Sequence, residues 1–136
     1  MSQENMKVVR AIFEAWNAGD LAPELYDPDV IVQTEEEWPE PGPFVGREAV
    51  MGWFEQVREA WDADALEPIS DLIDVADHVV ARLIWRGVGQ GPESNMEFTC
   101  VYTVRKGRII YMEFFWDHAK ALETLGQSEQ DAQADS

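Results

Sequence analysis

Cysteine is almost missing from this 136-residue chain: Cys100 stands alone, so no disulfide can form within it. Histidine is nearly as scarce, with only His78 and His118, too few for a histidine-built metal site, and no metal is expected. Positive charge is the third shortage. Ten basic residues stand against 27 acidic ones, a formal net charge of -17 at pH 7. Such a surface opposes the phosphate contacts on which nucleic-acid binding depends and is repelled by anionic membranes. Neither partner is expected. No apolar run approaches the roughly 18 residues that a bilayer-crossing helix requires. The N-terminus MSQENMKVVR leads straight into a helical pattern without the apolar core of a signal peptide, so a cytoplasmic location is expected. Phosphate loops, zinc clusters and nucleophile elbows are absent as motifs, and no internal repeat competes with a single-unit reading.

Apolar residues are plentiful. They make up 46% of the chain and include six Trp and six Phe, enough for one core and a lined interior. The length suits one domain, expected over residues 1–126, followed by a disordered acidic tail at 127–136. Residues 5–18 place Val8, Val9, Ile12, Phe13 and Trp16 at helical spacing, ended by Gly19. A short helix or turn is expected at 21–26, a turn at Asp27-Pro28-Asp29 and a first strand at 30–34. The breakers Pro39, Pro41, Gly42 and Pro43 make 35–46 a loop. Helical spacing returns at 47–61 through Val50, Trp53, Phe54, Val57 and Trp61. Branched and aromatic runs then predict four antiparallel strands at 67–75, 78–88, 96–105 and 108–116. Residues 117–125 close the pattern as a helix, giving an α+β fold whose helices cover one face of a sheet.

Four stretches carry a family resemblance: Phe13-Glu-Ala-Trp-Asn-Ala-Gly-Asp20, Leu25-Tyr-Asp-Pro-Asp-Val30, Tyr102-Thr-Val-Arg-Lys-Gly-Arg-Ile109 and Trp116-Asp-His-Ala-Lys-Ala-Leu-Glu-Thr-Leu-Gly126. Across residues 4–126 the chain resembles the nuclear transport factor 2-like superfamily, in particular its SnoaL-like polyketide cyclase and ketosteroid isomerase branches. The resemblance implies a cone-shaped, cystatin-like fold in which a curved antiparallel sheet, covered by three to four helices, encloses a small apolar ligand. Alternation then turns Leu83, Trp85, Phe98, Cys100, Tyr102, Met112, Phe114 and Trp116 inward. With Trp16, Trp38 and Trp53, the residues Trp85, Cys100, Tyr102, Met112, Phe114 and Trp116 are the expected ligand contacts. The opposite face, with Ile84, Val101 and Phe115 among Arg82, Arg86, Glu97, Thr99, Thr103 and Glu113, is expected to pair two copies as a homodimer.

The family's chemistries fit unevenly. The positions that carry the donors and base of a ketosteroid isomerase fall on Ile12, Thr34 and Cys100, none of which can do that work, which leaves Glu35, beside Thr34, as the alternative of a shifted base. An epoxide hydrolase needs an Arg-x-Asp unit that the strand at 78–84 lacks. Asp117 matches the aspartate that acts as a base in SnoaL-like cyclases, although the histidine partner is missing. Beside this cofactor-free isomerase, cyclase or hydrolase stands a non-catalytic binding protein of the same fold. Asp117 also sits where a carboxylate caps a helix, and the two roles are compatible. Cys100 reads as a small buried apolar residue. Glu35 and Glu37 are secondary candidates at the mouth, Trp38 reads as a lid contact or packing anchor, and His118 as a helix-surface residue.

Overall fold

The computed structural model describes residues 2–35, 38, 42–61, 63–89 and 94–126. Glu37, the prolines at 39 and 41 and the expected tail at 127–136 lie outside them. In chain order the elements are α1 (Ser2–Asn17), a 3-10 turn (Pro23–Leu25), β1 (Tyr26–Gln33), β2 (Phe44–Val45), α2 (Arg47–Glu59), β3 (Ala63–Pro68), β4 (Ile73–Val75), β5 (His78–Val88), β6 (Ser94–Arg105), β7 (Arg108–Phe115) and α3 (His118–Thr124). One sheet runs in the order β2-β1-β7-β6-β5-β3, with β4 also paired to β5. All pairs are antiparallel except β1 with β7, which run parallel.

The pairing is set where the turn chemistry demands it. Lys106 and Gly107 both take positive φ between β6 and β7, the two-residue hairpin in which glycine relieves the steric cost. Two sequence expectations shift. Asp27-Pro28-Asp29 lies inside β1, where the Asp27 carboxylate accepts the Asp29 N–H at 2.8 Å and the register against β7 slips between Tyr26 and Ile31. The turn signal therefore produces a bulge, and the strand begins at Tyr26. The run at 67–75 divides into β3 and β4, which pair with different stretches of β5. Pro68 cannot donate to a ladder and ends β3 at the sheet edge.

The two faces of the sheet carry separate cores. Val9, Ile12 and Phe13 of α1, with Val50, Trp53 and Phe54 of α2, pack on Leu83, Trp85, Phe98, Cys100, Tyr102, Met112 and Phe114. On the other face Ala121 and Leu122 of α3 pack on Val80, Val101 and Phe115. The helices therefore do not share one face, because α3 folds back across the opposite side. Val101 and Phe115, expected to await a partner subunit, are buried by the chain's own last helix, and Ile84 is half-buried.

Candidate functional site

Between the inner sheet face and the first two helices lies a cavity of about 90 Å³. Trp16, Trp53, Trp85, Tyr102, Met112 and Phe114, all expected from the sequence, line it. Ile12, Tyr26, Phe54, Val57, Leu66 and Phe98 complete the wall. Phe98 follows from strand alternation and Ile12, Phe54 and Val57 from helical stripes. Tyr26 was hidden by the turn reading of its neighbours, and Leu66 by the expectation that its strand begins at residue 67. A second pocket of about 270 Å³ adjoins the first through Trp53, Val57 and Trp85 and adds Trp38, Trp61, Ser94 and Met96. It forms the mouth.

Three expected contacts sit elsewhere. Cys100 is fully buried in the inner core but does not line the cavity. Trp116, just past the end of β7, is 37% exposed and lines neither pocket. Its ring instead stacks on Trp38, with centroids 4.3 Å apart and planes inclined by 26°. Trp38 also packs on Phe114 and Phe98, so it is both a buried anchor and a wall of the mouth. Asp117 is exposed and caps α3: its Oδ1 accepts the Ala119 N–H at 3.0 Å. It is not among the residues of either pocket.

Glu35 fastens the loop that carries Trp38. Its carboxylate accepts the Trp116 N–H at 2.8 Å and pairs with Lys120 at 3.2 Å, while Thr34 Oγ1 accepts the Gly42 N–H at 2.6 Å. Behind Glu35, burial, then the Glu35 charge, raise the Glu113 pKa, partly offset by Lys120. Ionised Glu113 is thus less well accommodated in the folded chain than in the unfolded one. Its favourable contribution is present below the ordinary value of 4.5 and is lost as pH rises through the raised folded value. Glu113→Gln is expected to raise the thermal midpoint at pH 7, with the gain shrinking as pH falls towards 4. Midpoints measured across that range check the sign.

The interior titratable groups are held neutral. Burial first, and then the proximity of Cys100, raise the pKa of Tyr26 and Tyr102, and burial raises that of Cys100 against a hydrogen bond from Tyr102. No carboxylate or imidazole lines the cavity among the described residues. The indole nitrogens of Trp16 and Trp53 are buried without a hydrogen-bond partner. Arg58 lies over the Trp16 ring at 4.5 Å and donates to the Trp16 carbonyl, tying α2 to the end of α1.

A sheet with two helices on its inner face and an apolar hollow between them defines the cystatin-like α+β class with a hydrophobic pocket. Within that class the chain belongs to the SnoaL-like domain family, whose model matches residues 9–112. Solved structures agree in fold. Bal32a, from a soil-derived mobile gene cassette, is 21% identical with a TM-score of 0.76 over 86% of this chain and 92% of its own. A candidate SnoaL-like polyketide cyclase from Jannaschia sp. CCS1 is 17% identical, with a TM-score of 0.70 over 84% and 85%. A protein of ketosteroid isomerase-like fold from Catenulispora acidiphila, solved in complex with trimethylamine, is 18% identical, with a TM-score of 0.67 over 88% and 92%. At these identities the likeness is one of fold. Among the curated proteins none matches at a significant level. No helix among the described residues is long and apolar enough to cross a membrane.

Proposed function

We infer that the chain binds a small, neutral, largely apolar molecule and holds it without acid–base chemistry at the pocket wall. The observation that carries this reading is the composition of the inner wall. Among the described residues its only titratable side chains are the phenols Tyr26 and Tyr102, both kept protonated by burial. An anionic group placed there would lose its hydration with no cation to replace it. Asp117, the candidate base, already serves as a helix cap outside the pocket. Size narrows the ligand further. A cavity of about 90 Å³ is smaller than the roughly 150 Å³ that accommodates benzene. A ring-sized ligand must therefore extend into the mouth.

Naphthalene and 2-naphthoate separate the outcomes, with tryptophan fluorescence as the readout. Naphthalene is expected to bind at least about tenfold more tightly than its carboxylate analogue, because only the latter buries an unpaired charge. Asp117→Asn is expected to leave that affinity unchanged. Equal affinities for the two probes, or no binding of naphthalene, would reject the reading.

A further inference from the structure

The mouth has a composition that the inner cavity lacks: four indoles, Trp38, Trp53, Trp61 and Trp85, line one pocket. Indole has the strongest π-face attraction for cations among the aromatic side chains. Trp61 and Trp85 form a corner, with centroids 5.1 Å apart and planes at 73°. That corner rests on absent side chains. A Cβ on Gly87 would stand 2.4 Å from Trp85 and 2.8 Å from Trp61, and one on Gly89 would stand 3.4 Å from Trp61. The strand end thus leaves room for both rings at alternate positions on the same face as Trp85: a side chain at Gly87 would displace them, whereas one at Gly89 would only touch Trp61.

Charge points the same way. The Trp85 Nε1–H donates to the Asp64 carboxylate at 3.1 Å, placing a negative group behind one wall of the corner. No lysine or arginine lines the mouth among the described residues. The whole chain, at a formal -17, draws cations towards any such opening and repels anions.

We propose that this tryptophan corner is an aromatic cage for a methylated ammonium group, set at the mouth that adjoins the neutral inner cavity and shares Trp53, Val57 and Trp85 with it. The head group is held by ring faces and the protein's negative field, and its methyl groups supply the apolar contact that a bare ammonium lacks. No bond is made or broken.

Choline and 3,3-dimethylbutan-1-ol have the same shape and differ by the cationic nitrogen, so their ratio of affinities isolates the charge. Calorimetric titration at fixed ionic strength is expected to give choline an advantage of about fivefold or more. Added salt should reduce that advantage. Trp61→Leu should abolish it while naphthalene still binds, and Gly87→Ala, which leaves every indole in the sequence, should weaken it by displacing the corner. Equal binding of the two probes, or tighter binding of the alcohol, would overturn the cage while leaving the neutral-ligand reading intact. An undiminished choline advantage in both variants would overturn it equally. Should Trp61→Leu fail to fold, the wild-type ratio and Gly87→Ala decide the matter.

Discussion

Trp53→Ala is expected to cost about 3–5 kcal/mol of folding stability, among the largest losses that one truncation in this chain can produce. Trp53 is 6% exposed and stacks on Phe44 at 4.6 Å with planes 9° apart, so the ring joins α2 to the short strand β2. It also packs against Phe54 and Phe114 and belongs to both pocket walls. Removing it therefore deletes contacts in several directions and merges two hollows that the surrounding sheet cannot collapse to fill. Denaturant unfolding measures the loss. Free indole at millimolar concentration should restore part of it, because a ligand that binds only the folded state stabilises it by mass action. A loss below about 1 kcal/mol would contradict the packing described for this ring.

The second large effect lies on the other side of the sheet. Leu122 is fully buried in the small cluster that fixes α3 over Val80, Val101 and Phe115. Leu122→Ala is expected to lower stability by about 2–5 kcal/mol, a large share of the roughly 5–15 kcal/mol that a domain commonly possesses. Naphthalene affinity at conditions where the variant remains folded should be unchanged, because none of these residues lines the pocket. Parallel unfolding and fluorescence titrations test both halves. An affinity that fell with stability would mean that the two cores are coupled through the sheet.

The two variants also mark how far the sequence could be read. Helix α1 announced itself through Val9, Ile12 and Phe13, and α2 through Val50, Trp53 and Phe54, because in each the burial follows the 3.6-residue period. Strands β5 and β6 were legible through the alternation of Leu83 and Trp85, and of Phe98, Cys100 and Tyr102. Most of the inner lining followed from these patterns, Tyr26 and Leu66 excepted. What the pattern did not show was how α3 returns: Ala121 and Leu122 make too short a stripe to say which face of the sheet it covers. Nor did local chemistry reveal that Tyr26 opens a strand, since Pro28 favours a turn by itself and only pairing with β7 overrides it. Trp116, past the strand's end, stacks on the inner-core Trp38 without reaching the cavity. Cys100 shows a further limit, because pointing inward and touching the cavity are different properties. Asp117 matched a family position but read first as a helix cap, and its hydrogen bond to Ala119 records the cap.

The parallel pairing of β1 with β7 carries a cost in time. Ile31, Val32 and Gln33 meet Tyr111, Met112 and Glu113, partners from opposite ends of the domain. During synthesis the first third of the chain emerges with its strand unpaired on that side and must wait until nearly the whole sequence has left the ribosome. Closing so long a loop makes this join a late and slow event, whereas the β6–β7 hairpin can assemble locally. The hollow beneath it comes into being only when the last strand slots in beside the first.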